Sequence, residues 1–150
     1  MMTIDWRLYE FRELRTDMLY QIMAARQEVF VVEQNCPYQD ADGYDAQALH
    51  LCGFWQGNLV AYARLFAPGR KYPEASIGRV LTLKSIRRQG AGKQLMTEAF
   101  AYCRQLFPGA SIRISAQSYL ETFYSELGFK TVSEQYLEDG IPHQEMLRYE

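Results

Sequence analysis

The residues best suited to chemistry lie between positions 87 and 93, where Arg87-Arg88-Gln89-Gly90-Ala91-Gly92-Lys93 sets two glycines among three cations. The segment follows an apolar run from Ile77 to Leu83. It opens an amphipathic pattern with Leu95, Met96, Ala99, Phe100, Cys103 and Leu106 on one face. A strand-to-helix turn of this kind leaves successive backbone N–H groups uncovered at the positive end of a helix dipole. That arrangement suits an anion, phosphate first of all. Close helix–strand packing is the other reading of Gly90 and Gly92.

Two phosphate motifs can be tested against the segment, and both fail. A P-loop requires G-x-x-x-x-G-K-[ST]. Here Gln94 follows Lys93, and Arg87 stands in the first glycine's place. A dinucleotide fingerprint requires G-x-G-x-x-G and an acid at the end of the next strand. Here Leu95 replaces the third glycine, and the next strand ends Ser115-Ala116-Gln117.

What remains is Arg87-x-x-Gly90-x-Gly92 after a strand. A second motif follows one strand later: Gln117-x-x-Leu120-x-x-Phe123-Tyr124-Ser125-Glu126-Leu127-Gly128-Phe129. In this order the two resemble the GNAT N-acetyltransferase superfamily. Gln117 departs from that family's usual asparagine. Val29 to Tyr38, Asp42-Gly43-x-Asp45 and Glu138-Asp139-Gly140-Ile141-Pro142-His143 with Met146 extend the likeness, to the ElaA-like subfamily, over nearly the whole chain. The resemblance implies an α/β (α+β) fold, one domain over residues 1–150, with a mixed, mostly antiparallel sheet of about seven strands flanked by helices.

It also implies acetyl transfer from acetyl-CoA to a primary amine of a small molecule or peptide. Arg87, Arg88, Gln89, Gly90, Ala91, Gly92 and Lys93 would hold the pyrophosphate. Val80, Leu81 and Thr82 would pair with the pantetheine arm, with a backbone N–H near Leu81 polarising the thioester oxygen. Gln117 and Tyr124 would complete the cofactor site, with Tyr124 beside the sulfur. A phenol of pKa about 10 is protonated at neutral pH and can donate to a leaving thiolate whose thiol lies near 8.5. A non-catalytic acyl-CoA sensor and a transferase for a different acyl chain are the alternatives. A homodimer is compatible with the resemblance.

An alkylammonium of pKa about 10.4 must also lose a proton before it can attack. Glu33, just past the first helix, is the first candidate base and His50 the second. Asp40, Asp42 and Asp45 would attract a cationic amine or cap turns. His143 would line the acceptor pocket or finish a turn. Arg26, on the apolar face of the first helix, reads as an internal ion pair or a snorkelling stem, with direct substrate contact the alternative. No EF-hand or clustered His/Cys pattern is present, so no metal is expected.

These groups need elements to hold them. Ile4–Phe11 alternates as a strand. Thr16 reads as the N-cap of a helix to about Phe30, and Val31–Asp45 as a long loop of functional character. Residues 49–55 and 59–66 form a hairpin about Gln56-Gly57-Asn58, and 76–83 a further strand. After the glycine turn and its helix come a strand over 111–117 and a short helix over 119–127, stopped by Gly128. A last hairpin pairs 131–137 with 145–149.

The length of 150 residues suits one domain, and a formal net charge of −2 argues against a general nucleic-acid partner. Three cysteines without a C-x-x-C pair give no disulfide framework. Cys52 and Cys103 read as core thiols. No run reaches membrane-spanning length and no secretory leader is evident, so a cytoplasmic location is expected.

Overall fold

The computed structural model describes residues 2–150. Eight strands form one sheet: β1 (Asp5–Glu10), β2 (Leu49–Trp55), β3 (Asn58–Phe66), β4 (Ala75–Thr82), β5 (Ile112–Gln117), β6 (Lys130–Thr131), β7 (Tyr136–Glu138) and β8 (Ile141–Arg148). The helices are α1 (Thr16–Arg26), α2 (Ala91–Leu106) and α3 (Glu121–Glu126). The sheet order is β1-β2-β3-β4-β5-β8-β6, with β7 also on β8, and every pairing is antiparallel except β4 with β5.

Strand alternation divides the core between the two faces of the sheet. Ala61, Ala63 and Leu65 pack with Leu95, Met96, Ala99 and Phe100 of α2. Tyr62 points the other way and packs with Ile22, Ala25 and Val29. Cys52 and Cys103 are buried, and burial raises both thiols to about 12. Leu106, expected on the inner face of α2, is in its last turn and largely exposed. The β2–β3 turn uses Gln56 and Gly57 at φ of 52° and 81°, the left-handed pair that a tight hairpin demands.

Several boundaries differ from the sequence reading. Arg15, not Thr16, occupies the N-cap of α1, and no side chain caps it. The helix does not stop at Phe30 but continues as a π-helical turn over Gln27–Glu33. Wide turns of this kind recur at functional sites, and this one carries Glu33 on a helix rather than in the loop. The expected strand over 131–137 is two short ones, β6 and β7. Its partner β8 begins at Ile141, because Pro142 lies beyond the β5 pairing, which starts at His143 opposite Gln117.

The acidic loop is held by three arginines rather than offered to solvent. Arg26, fully buried, donates to Asp40 Oδ2 at 2.7 Å, Asp45 Oδ1 at 2.6 Å and the Asp40 carbonyl at 3.0 Å. Arg64 donates to both carboxylate oxygens of Asp42 at 2.8 Å and to Asp45 at 2.9 Å. Arg79 donates to Asp40 at 2.7 Å and Asp42 at 3.4 Å. Burial alone would raise Asp42 and Asp45. The Arg64 hydrogen bond on Asp42 and the Arg26 hydrogen bond on Asp45 overcome it and hold both below the usual carboxylate range. Three aspartates meet three arginines, so the loop carries no spare negative charge for a substrate. The internal ion pair expected of Arg26 is present.

Candidate active site

The parallel pair β4–β5 opens a cleft through the sheet. The two strands are paired only at Ala75–Ile112 and Ser76–Arg113, and beyond Ser76 they part. A bulge in β4 accompanies the parting: Tyr62 of β3 faces Leu81, whereas Arg64 faces Gly78, so β4 carries one extra residue there. Arg79 sits in the bulge at φ 48°. Bulges re-aim a strand and leave backbone groups unpaired. The resulting cavity is about 520 Å³ and is walled by β4, β5, the π turn, the loop after it, α3 and the β7–β8 hairpin.

At the end of β4 the chain makes a one-turn 3-10 helix over Lys84–Ile86 and reaches α2 through Arg88 at φ 66° and Gly90 at φ 78°. Gly90 is the N-cap of α2 with no side-chain cap bond, and the first bond in the helix is Gln94 N–H to the Gly90 carbonyl at 3.1 Å. The N–H groups of Ala91, Gly92 and Lys93 thus lack intrahelical acceptors, as at any helix start. A Cβ on Gly90 would meet nothing within 4 Å, and one on Gly92 only the Phe123 ring at 3.6 Å. Tight packing is therefore not what requires glycine here. The left-handed backbone at Gly90 is.

The sequence matches the acetyltransferase (GNAT) domain family over residues 16–149. Protein ElaA of Escherichia coli is 40% identical over 97% of this chain and 96% of its own length. A UPF0039 protein of Synechocystis is 44% identical over the same shares. The chain belongs to the GNAT acetyltransferase family. An acyl-CoA N-acyltransferase from Pseudomonas aeruginosa superposes on this GNAT domain with a TM-score of 0.93 at 41% identity, covering 97% of this chain and 99% of the other. The crystal structure of E. coli ElaA gives 0.91 at 39%, with the same coverage. GNAT-fold acyltransferases take an acyl-CoA as cosubstrate, and the free α2 terminus and the unpaired β4 edge of this domain fit such a ligand.

Tyr124 stands in the wall of the GNAT cleft, 6% exposed. Gly128 at φ 96° ends α3 in a Schellman motif. Phe129 N–H donates to the Tyr124 carbonyl at 3.1 Å, and Gly128 N–H to that of Ser125 at 3.1 Å. The ring is further fixed edge-on to Phe123 and Phe129. Its hydroxyl bonds no other described residue, yet it is not sealed from solvent, so it opens to the cleft. Burial raises its pKa above the ordinary phenol value, so it is protonated at neutral pH.

The β4 backbone corrects one expectation. Leu83 N–H donates to the Val60 carbonyl at 2.8 Å, so Leu83 faces β3, and by the period of two so does Leu81, opposite Tyr62. Val80 and Thr82 present their N–H and C=O groups to the cleft instead. The Thr82 carbonyl accepts from Arg87 Nε at 3.0 Å, as that orientation requires. The phase was hidden in the sequence because the bulge at Arg79 shifts it by one residue.

Arg87 also pairs with Glu33 at 2.7 Å, and both line the cleft. Arg88, Gln89, Gly90 and Lys93 are exposed around the α2 terminus outside its wall, with Gly92 half-buried and Ala91 buried beneath. Gln117 lines the cleft and is bridged amide-to-amide with Gln34 at 3.2 Å. His50 does not reach the site. It is fully buried, with Nδ1 2.6 Å from the Tyr62 hydroxyl and Nε2 2.9 Å from the Asp45 carbonyl. Both nitrogens serve the loop network, and burial lowers its pKa, so a role as base is withdrawn.

Three cleft residues were missed or left open by the sequence, His143, Glu138 and Ser115, with Tyr136 bonded to Ser115 and stacked on His143 behind them. No pattern in the sequence brings β5, β7 and β8 together. The aromatic-acid alternation Tyr136-x-Glu138 before Asp139-Gly140 was the one available signal. Among the described residues no group of three or more His, Cys, Asp or Glu is placed to hold a metal, and no helix is long and apolar enough to cross a membrane.

Gly90→Val is expected to weaken coenzyme A binding about tenfold, because a β-branched residue resists positive φ and would redirect the turn's N–H groups. Calorimetric titration with coenzyme A checks this. Unchanged affinity would remove the turn from the phosphate site.

Proposed function

We propose that the protein transfers an acetyl group from acetyl-CoA to a primary amine by direct attack, with Tyr124 as general acid. The observation that carries this reading is the Tyr124 hydroxyl, unbonded to any described residue and open to a cleft that Arg87, just before the uncapped start of α2, also lines. The N–H groups of Arg88 to Lys93 hold the pyrophosphate, helped by the charge of Arg88 and Lys93. Arg87 is clamped between Glu33 and the Thr82 carbonyl and fixes the exit of β4 at the turn.

Val80 and Thr82 offer the pantetheine amides a free strand edge, as a sheet edge does for an added strand. Gln117 can exchange its Gln34 partner for the same arm. A cleft-facing N–H of β4 polarises the thioester oxygen. The amine nitrogen forms its bond to the carbonyl carbon, the C–S bond breaks, and Tyr124 protonates the sulfur. Burial makes a free Tyr124 phenolate costly, so the proton given to sulfur is replaced by the one leaving the new amide nitrogen.

Acetyl-CoA turnover against a panel of primary amines tests the reading. Transfer to at least one amine, with free thiol released in equal amount, is the expected result. Tight acetyl-CoA binding without transfer would favour a sensor. Faster transfer from longer acyl-CoA thioesters would favour a different acyl chain.

A further inference from the structure

We infer that His143 accepts the proton of an acceptor that binds as a primary ammonium between it and Glu138. This rests on the amine acetylation proposed above. The two side chains share the sheet face opposite Tyr124. His143 is paired with Gln117 across β5–β8, and Gln117 reaches Gln34 on the α1 face, whereas Met146 of β8 packs into the α2 core. The cleft passes through the sheet between them, so cofactor thioester and amine can meet from opposite sides.

The hydrogen bonds fix which nitrogen is basic. His143 Nδ1 lies 2.7 Å from the Ile141 carbonyl, which can only accept, so Nδ1 carries the proton. Nε2 is then the lone-pair nitrogen, and the ring is held flat against Tyr136 at 6.2 Å and 22°. Nε2 stands 3.5 Å from Glu138 Oε2. These are two acceptors facing one another across the cavity rim. A primary ammonium, with three N–H donors, satisfies both at once. Glu138 is itself steadied by Ser115 Oγ at 3.4 Å, and Ser115 is bonded to the Tyr136 hydroxyl.

The other charged groups on these elements are accounted for or share the sign. Arg113 and Glu145 are paired at 2.7 Å, and Asp139 adds a second carboxylate at the rim. Glu33, the other cleft-lining candidate, is already bound by Arg87. In the step, the ammonium N–H bond breaks and its proton passes to Nε2, leaving a neutral amine to attack. The imidazolium later releases that proton to water, so the net reaction frees one proton per amide formed.

The test measures kcat and KM for wild type, His143→Gln and Glu138→Gln with acetyl-CoA and primary amines of graded basicity. For an alkylamine near pKa 10, His143→Gln is expected to lower kcat/KM about a hundredfold or more, the usual weight of general base catalysis. For a weakly basic amine, already neutral at the assay pH, the loss should shrink to a few-fold. Acetyl-CoA affinity should stay within about twofold of wild type, and added imidazole should restore part of the rate of His143→Gly. Glu138→Gln, which removes one charged acceptor of the ammonium, should raise KM for cationic amines more than for the weakly basic amine. A loss uniform across the amine series, or no loss, overturns the role of His143. If the wild type acetylates no amine, the parent reading and this one fall together. If it does and His143→Gln matches it, only this one falls.

Discussion

Tyr124→Phe is expected to lower kcat about a hundredfold while acetyl-CoA affinity stays within about twofold, since a positioned general acid contributes 10²–10⁴-fold. The variant keeps the ring against Phe123 and Phe129 and the Schellman clasp on its carbonyl, so stability should barely change. Only the hydroxyl, which bonds nothing in the fold, is lost. Steady-state kinetics beside a coenzyme A titration separates the effects. An unchanged kcat would remove Tyr124 from proton transfer. The rate of the wild type should show no loss from Tyr124 ionising near pH 10, because burial displaces its pKa upward.

Arg26→Met should be strongly destabilising. It removes one charged donor from each of Asp40 and Asp45, both largely buried, and breaking such a pair costs about 3–5 kcal/mol. For a domain of this size that is a fall in Tm of roughly 10 °C. Arg7→Met is the comparison: its partner Asp5 is 61% exposed, the pair is screened by solvent, and Tm should barely move. The sign with pH follows from Asp45, whose carboxyl the Arg26 hydrogen bond holds below its ordinary value against burial. Its contribution is complete above the unfolded value near pH 4 and is lost as pH falls through the lower folded value. The gap between Arg26→Met and wild type should therefore narrow in acid. Thermal unfolding across pH 3–7 measures it, and equal Tm values at neutral pH would show the network to be dispensable.

Local features were legible wherever short-range chemistry decides them. Gly90 announces a left-handed turn, Gly128 a helix stop, Gln56-Gly57 a tight hairpin, and the stripe from Leu95 to Cys103 a helix buried on one side. Tyr124 and the glycine turn could be found because motif spacing survives in one dimension. Whether the acidic loop attracts a substrate or serves the fold was left open, because its counter-charges come from α1, β3 and β4, up to 39 residues away. His50 was misjudged for the same reason. A polar residue in a strand looks available until its partners, Tyr62 and the Asp45 carbonyl, are seen.

The sequence by itself determined the family and the places of the glycine turn and the tyrosine, since each depends on residue types at fixed short spacing. Only the tertiary structure decided which groups face the cleft. The bulge at Arg79 shifts the phase of β4 and turns the backbone N–H and C=O groups of Val80 and Thr82, not those of Leu81, to the cleft. The parting of β4 and β5 opens the sheet. The return of β8 beside β5 brings His143 and Glu138 to the same opening as Tyr124. Those outcomes depend on strand register and long-range pairing, which are set by the packing of both sheet faces together and leave no periodic trace in any one segment.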